Sequence, residues 1–532
     1  MNDVRTVDRR VPAGARRSTR RVLLRPGLTA ASAAAVAVAL LPLVYLAVRA
    51  GEAGGERIAA ELFTARVAVL AGRSLALAAV VTAACVVLGV AAAFLVVRTD
   101  LPGRRALGVV AALPLAVPTY VAGFAWTATV DGFEGFWAAA LLLTVCSYPY
   151  VYLPAVAALR RADPGQEEVS RSLGRGPWAT LVGVTLRQIR PAVAAGALLV
   201  ALYVLSDFGA VSIVRVDTFT RAIFTAFNLG FDRTGALVLS TVLVLLTVLL
   251  IGAELGTRTR DARYASTAVR PPVRLALRRL RWPALSVLLA VDALALGVPA
   301  FGLARWLGAG VSRPGSLAEV AAAAGGSLSV SLAGAAFTML LALPLGLLAA
   351  RAPGPVTTVL ERLTYVAHAL PGVVIGLSLV FFSVNVAYPL YQSRWLLALA
   401  YATLFLPLAV GAVASAAAQS PPAVEEAARS LGRGPFAVFR TVTLPLTLPG
   451  IGAGAALTFL TCMKELPATL LLRPTGMDTL ATELWTHTST AAYAAAAPYA
   501  ALLVALAAVP TWLLAARTGL TDAGPTAPGG TR

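Results

Sequence analysis

A polar, arginine-rich segment with paired glutamates occurs twice in this sequence, and its residue types and spacing suggest binding chemistry. Residues 163–191 contain the first copy, with Glu167 and Glu168, and the second copy follows 258 positions later with Glu425 and Glu426. The order Glu, Glu, Arg, Ser, Leu, Gly, Arg, Gly, Pro is common to both copies. A polar loop that is repeated in an otherwise apolar chain predicts a partner with two matching binding surfaces.

The spacing within each copy predicts a short helix, a turn and a second helix. Pro164 and Pro422 suit the first helical position, and the glutamates then fall in the first turn, where they complement the helix dipole. Gly174 and Gly432 can adopt a positive φ and end the helix. A solvated basic loop would explain one copy, but two near-copies favour docking. The apolar positions that could contact a partner are Val169, Leu173, Ala427 and Leu431.

Two acidic residues, Asp207 and Glu465, end long apolar segments and are also related by 258 positions. A carboxylate at such a place is costly to bury and predicts a functional role. One interpretation is a structural ion pair, with Arg215 and Arg473 at the same offset or with the neighbouring Lys464. The other is a pair of acids near the outer mouth of a transport pathway, which would shape a gate or the surroundings of a cation.

Other chemistries find little support in the sequence. Lys464 is the only lysine and lacks a glycine-rich lead, so a phosphate-binding GxxxxGK[ST] loop is missing. The three cysteines lie in apolar runs without CxxC spacing, and two scattered histidines do not suggest a metal site. The net charge of +19 comes almost entirely from arginines clustered in particular loops, which indicates membrane topology and no nucleic-acid partner.

The elements that must position these loops are membrane-spanning helices. The chain has 58% hydrophobic and 13% charged residues, which predicts an all-α protein in the bilayer. Apolar segments of about 20 residues can span the hydrocarbon core, and about twelve are present. They are residues 28–48, 74–97, 106–128, 136–158, 192–209, 234–254, 283–304, 328–350, 364–385, 395–418, 449–469 and 494–516.

The distribution of arginine predicts a multi-pass protein of the cell membrane with both termini in the cytoplasm. Six spans per half is an even number, so the halves form parallel repeats. Arg98 with Arg351, and Pro118 with Pro371, also correspond, at an offset of 253. The predicted divisions are a basic tail (1–26), a first repeat (27–256), an arginine-rich linker (257–282), a second repeat (283–518) and a C-terminal tail (519–532).

The second loop resembles the EAA loop of ABC importer permeases, through Glu426-Ala427-Ala428, Gly432 and the run 442–445 (VTLP). In that family the loop is a coupling helix that fits a groove on the ATPase subunit. The first copy departs from the pattern, with Glu168-Val169-Ser170 and with Arg187 in place of the closing proline. The resemblance implies a coupling role for Glu167, Glu168, Gly174, Glu425, Glu426 and Gly432.

The segments SDFGAVSIVRVDTFTRAIFTAF and MKELPATLLLRPTGMDTLATELW resemble the fused, two-repeat permeases of ferric-iron ABC importers. This resemblance covers most of the chain and implies the type I importer permease fold, with about twelve helices in two parallel six-helix repeats. It implies two copies of a separate ATPase, which would bind the ATP, and an extracytoplasmic iron-binding protein. No cofactor and no enzymatic activity are expected on this chain.

Two alternatives remain at the level of sequence. The same machine could carry thiamine or another small solute, since such fused permeases look alike. The second alternative is a gradient-driven secondary transporter with parallel repeats, because residues 98–106 (RTDLPGRRA) are faintly similar to the basic loop of those proteins. The paired EAA-like loops favour the ABC importer, since a gradient-driven carrier has no ATPase to bind.

Overall fold

The computed structural model describes residues 26–517 except 53, 229, 258–274, 310–315 and 369. Within these ranges the chain is helical apart from loops and one isolated β-bridge. Nine helices of the described residues are long and apolar enough to span a membrane, or up to eleven if two bent pairs count as spans. The predicted tails, and most of the predicted linker, lie outside the described residues.

The first half contains α1 (Pro26–Glu52), α2 (Gly55–Leu62), α3 (Ala65–Arg98), α4 (Arg104–Val110), α5 (Thr119–Thr127), α6 (Phe136–Ser147), α7 (Pro149–Arg161), α8 (Pro164–Ser172), α9 (Pro177–Thr180), α10 (Leu186–Ser206), α11 (Gly209–Ile213), α12 (Phe219–Asn228) and α13 (Arg233–Thr257). The second half contains α14 (Arg281–Asp292), α15 (Val298–Ala309), α16 (Leu317–Arg351), α17 (Pro355–His368), α18 (Gly372–Asn385), α19 (Arg394–Gln419), α20 (Pro422–Ser430), α21 (Pro435–Val438), α22 (Leu444–Met463), α23 (Pro467–Leu472), α24 (Leu480–Ser489) and α25 (Tyr493–Arg517). About twelve spans were predicted, against nine to eleven among the described residues, and the last predicted span, 494–516, falls on α25, where Tyr493–Ala508 counts as a shorter apolar helix.

The third and ninth predicted spans are broken helices. The pair Arg104–Ala116 and Thr119–Thr127 bends by 91°, and the pair Pro355–Ala367 and Gly372–Asn385 bends by 95°. Pro118 and Pro371 stand at the breaks, as the N-caps of α5 and α18. Because proline lacks an N–H and disfavours helical conformation in the residue before it, a helix ends there readily.

Two π-helical turns occupy corresponding places. Leu181–Thr185 joins α9 to α10, and Phe439–Thr443 joins α21 to α22, at the offset of 258 that relates the loops. A π-turn adds about one residue to a helical turn and so rotates everything beyond it by about 100°. Each polar loop is therefore followed by a π-turn that rotates the side chains of the next transmembrane helix about the helix axis in the same way.

The first span of each half packs on the opposite half. Helix α1 lies against α16, α17 and α18, and α15 lies against α5. The Tyr45 hydroxyl donates to the Phe381 carbonyl oxygen at 3.1 Å, and the Trp306 indole donates to the Ala128 carbonyl oxygen at 2.9 Å. The first helix of each predicted repeat therefore packs against helices of the other half.

Close helix approach depends on small residues. A Cβ on Gly196 would lie 2.7 Å from the Tyr150 carbonyl oxygen, and one on Gly454 would lie 2.5 Å from the Ala412 Cβ. These glycines correspond at the 258 offset and bring α10 and α22 against α7 and α19. Without a hydrophobic driving force between helices in lipid, such contacts supply much of the packing energy.

Candidate functional site

Each polar loop folds as the predicted helix, turn and helix. Helices α8 and α20 begin at Pro164 and Pro422, each with proline in the first helical positions. Gly174 has φ +79° and Gly432 has φ +82°, a left-handed conformation that favours glycine. With each bent pair counted as one span, six candidate spans separate the two loops, and an even number predicts that both loops lie on the same side of the bilayer.

The two turns also share their hydrogen bonds. The Gly174 N–H donates to the Arg171 carbonyl at 2.9 Å, and the Gly432 N–H donates to the Arg429 carbonyl at 3.0 Å. One residue further on, Arg175 N–H donates to the Ser170 carbonyl oxygen at 3.2 Å, and its counterpart in the second loop makes the same bond at 3.2 Å. The departures of the first loop from the EAA pattern therefore leave its backbone geometry intact.

The first glutamate of the first loop is buried against the transmembrane bundle. Arg98, the last residue of α3, donates to Glu167 Oε1 at 2.8 Å and to Oε2 at 3.1 Å. Thr185 Oγ1, at the end of the π-turn, donates to Oε1 at 2.8 Å. Arg171 adds a longer contact of 3.4 Å from the same helix. The side chains of Arg98 and Glu167 are 3% and 5% exposed, so this pair is closed to solvent.

The second loop repeats this arrangement. Arg351, the last residue of α16, donates to Glu425 Oε1 at 2.7 Å, and Thr443 donates to the same oxygen at 3.1 Å. Arg429 lies 3.0 Å from Oε2. We call each group of four residues an anchor: Arg98, Glu167, Arg171 and Thr185 form the first, and Arg351, Glu425, Arg429 and Thr443 form the second.

The two anchors differ in how they are covered. Arg351 is 21% exposed, and its second nitrogen donates to the Ser420 carbonyl oxygen at 3.1 Å. In the first half, Leu275 from the end of the linker forms a β-bridge with Thr99, and its N–H donates to the Arg98 carbonyl oxygen at 2.8 Å. The linker end thus lies over the first anchor, with Leu275 lining the small cavity beside it.

The second glutamate of each loop faces outward. Glu168 and Glu426 are exposed, next to apolar side chains that are unusually open. Apolar groups clustered on an exposed polar loop indicate a binding surface for another protein. The open apolar side chains are Val169 (60%), Leu173 (75%), Trp178 (75%), Leu431 (82%) and Phe436 (75%). The four glutamates that the sequence grouped together therefore divide into two buried and two exposed residues.

Asp207 and Glu465 are buried, and each carboxylate accepts hydrogen bonds from the N-terminus of a short helix. Asp207 Oδ1 accepts from the N–H groups of Ala210 and Val211 at 3.0 and 3.2 Å. Glu465 accepts from the N–H groups of Ala468 and Thr469 at 2.9 and 3.0 Å. The structure does not support the interpretation in which Arg215 and Arg473 pair with these acids, since Arg215 pairs with Glu134 and Arg473 with Asp478.

Asp207 has a shorter side chain than Glu465, and the residue that faces Asp207 is larger than the residue that faces Glu465. Thr119 donates to Asp207 Oδ2 at 2.6 Å. The corresponding residue of the second half is Gly372, where a Cβ would lie only 2.6 Å from Glu465 Oε1. A short acid with a threonine and a long acid with a glycine therefore fill equivalent sites.

Sequence reasoning missed several residues of these sites. Arg98 and Arg351 were noted as a repeated pair, but only as evidence of the internal repeat, and neither residue was assigned to a site. Lys464 was considered as a partner of Glu465, but its ammonium donates to the Leu115 carbonyl oxygen of the other half at 3.1 Å. No group of three or more His, Cys, Asp or Glu that could hold a metal occurs among the described residues.

Comparison with known proteins agrees with this two-part architecture. Residues 85–254 and 342–516 match the family described as binding-protein-dependent transport system inner membrane component. Each matched region contains one of the polar loops. The Fe(3+)-transport system permease protein FbpB 2 of Haemophilus influenzae is 39% identical over 479 residues, which cover 89% of this chain and 95% of that protein.

Shorter relatives match only part of the chain. The sulfate transport system permease protein CysT of Escherichia coli is 28% identical over 204 residues, which cover 34% of this chain and 72% of that protein. The molybdenum transport system permease protein ModB of the same organism is 46% identical over 72 residues, which cover 14% and 31%.

Proposed function

Because the chain belongs to the family of binding-protein-dependent transport system inner membrane components, we propose that it is the permease of an ABC importer for ferric iron. The observation that supports ferric iron as the transported ion is the 39% identity to an Fe(3+)-transport permease across 95% of that protein's length. The relatives named for oxyanions match no more than about a third of this chain. A gradient-driven transporter is set aside, since family membership places the energy source on a partner ATPase.

We infer that the ATPase binds the exposed faces of α8 and α20. Glu168 and Glu426 lie on those faces, and the left-handed Gly174 and Gly432 hold the turns that present them. Since the two loops are near-copies, two copies of one ATPase suit them, one beneath each loop. Both termini, including the N-terminal tail (1–26), then lie on the cytoplasmic side. The two permease repeats are residues 27–256 and 283–518.

The implied mechanism is alternating access. ATP closes the ATPase dimer, the two loops move with its grooves, and the halves rock so that the outer mouth opens towards a loaded binding protein. To shift the bundle from about 1:99 to 99:1, partners must bind one state about 10⁴-fold more tightly than the other, about 5.5 kcal/mol. Equal binding to both states would shift nothing.

We assign Asp207 and Glu465 to the outer part of the pathway. Each follows a span that leaves a polar loop, so both lie towards the opposite side of the membrane from those loops. Their carboxylates keep the starts of α11 and α23 in place. Carboxylate oxygens are hard ligands that suit Fe³⁺, and their charge favours a cation near the mouth.

Uptake in a strain that lacks only this chain tests the cargo. We expect the chain to restore import of labelled Fe³⁺ supplied with its binding protein, and to leave import of thiamine and sulfate unchanged. Restored thiamine or sulfate uptake without iron uptake would reassign the cargo while keeping the ABC importer.

A further inference from the structure

We propose that Glu167 and Glu425 are positioning residues that fasten the two loops to the membrane bundle, and that motion of each loop reaches the pathway through them. This inference rests on the proposed function and assigns the two glutamates a role separate from docking. Both carboxylates face the bundle and are nearly closed to solvent. They therefore act between elements of this chain.

Three structural elements meet at each carboxylate. In the first half they are the end of α3 through Arg98, the first turn of α8 through Glu167, and the end of the π-turn through Thr185. In the second half the same positions of α16, α20 and the second π-turn meet. Residues far apart in sequence thus join one loop to two transmembrane helices, once in each half.

Charge and burial make this junction rigid. A buried arginine or glutamate without its partner is strongly unfavourable, because the lost hydration is not replaced. Sliding α8 away from α3 would leave Arg98, whose side chain is 3% exposed, without an acid. The loop and the two helices are therefore expected to move as one body.

The two anchors should not contribute equally. Two guanidinium nitrogens of Arg98 bind the carboxylate in a site that Leu275 covers, and charge interactions are stronger where water is excluded. Arg351 uses one nitrogen on the glutamate and keeps partial access to water. Loss of Glu167 should consequently cost more than loss of Glu425.

The test uses the full importer, purified with its ATPase and reconstituted with the loaded binding protein. Glu167→Gln and Glu425→Gln remove the charge, while Thr185→Val and Thr443→Val remove one hydrogen bond and keep the buried shape. Thr458→Val is the matched control, because this buried hydroxyl bonds only to its own helix at Gly454. Glu134→Gln is the control for loss of an exposed ion pair.

The readouts are ATPase co-purification, ATP hydrolysis and Fe³⁺ imported per ATP. Coupling free energies between sites commonly correspond to about 5–150-fold effects, so we expect Glu167→Gln to reduce Fe³⁺ imported per ATP about tenfold or more. The amount of ATPase that co-purifies with Glu167→Gln should stay within about twofold of wild type. Glu425→Gln and the valine variants should show smaller losses of Fe³⁺ imported per ATP. Both control variants should match wild type.

Two results would overturn the inference. One is wild-type transport per ATP in the anchor variants, and the other is loss of ATPase binding in parallel with transport, which would make the glutamates docking residues. If Glu167→Gln fails to assemble, Thr185→Val against Thr458→Val decides by the same criteria. Failure of the proposed function looks different, since the ATPase would then not co-purify even with the wild-type chain.

Discussion

Gly372 lies so close to Glu465 that a Cβ added to the glycine would stand 2.6 Å from Glu465 Oε1. In the first half the corresponding pair is Thr119 and Asp207, where a hydroxyl fills the space that the shorter acid leaves. The two halves therefore build the same junction from residues of complementary size.

Gly372→Thr should destabilise the protein, because overpacking a well-packed site costs about 1–3 kcal/mol. Adding Glu465→Asp should recover most of that loss, since the double variant reproduces the pair of the first half. Thermal unfolding of the purified chain in detergent measures both effects. Equal stability of the single and double variants would show that the two positions are not coupled.

Asp207→Asn with Glu465→Gln should leave a folded chain that imports Fe³⁺ poorly. The asparagine oxygen can still accept from both N–H groups at the start of α11, and the glutamine oxygen from one of the two at the start of α23, while the negative charges near the proposed mouth are lost. Uptake with intact ATPase binding is the measurement, and Asp207→Ala with Glu465→Ala should impair it as well. Normal uptake by the amide variant, with a defect only in the alanine variant, would limit the acids to a structural role.

Lys464→Met should lower stability by about 1.5–3 kcal/mol, the usual worth of a hydrogen bond to a charged group. The ammonium of Lys464 is the donor to Leu115, which belongs to the opposite half. The melting temperature of the chain reports the change. Arg215→Met, which removes an exposed cation, is the control and should melt like wild type. An equally small effect in both variants would contradict a stabilising link between halves.

Gly432→Pro and Glu426→Arg should abolish transport while the chain still inserts in the membrane. Proline cannot adopt the φ of +82° found at Gly432, and arginine reverses the charge on the exposed face of α20. Gly434→Ala is the matched control, since nothing lies within 4 Å of its added Cβ and its φ is not positive. Uptake assays with membrane fractionation decide the matter, and normal uptake by both test variants would remove the coupling role.

Much of the architecture could be predicted because it depends on local chemistry. The left-handed turns at Gly174 and Gly432 follow from a glycine that ends a short helix, and the spans follow from apolar length. The breaks at Pro118 and Pro371 were visible as repeated prolines, but a proline in a span can also kink the helix without breaking it. The anchors could not be found locally, since 69 residues separate Arg98 from Glu167 and only the packing of α3 on the loop brings them together.

Cysteine cross-linking at Leu173 and Leu431 tests the central claim most directly, that two like loops hold an external ATPase. Both side chains are open, while the three native cysteines are buried. Leu173→Cys and Leu431→Cys, each treated with a short bifunctional reagent in membranes, should link to the ATPase subunit with a yield that changes on addition of ATP. Absence of that product at both positions, or linkage to the extracytoplasmic binding protein, would contradict the account.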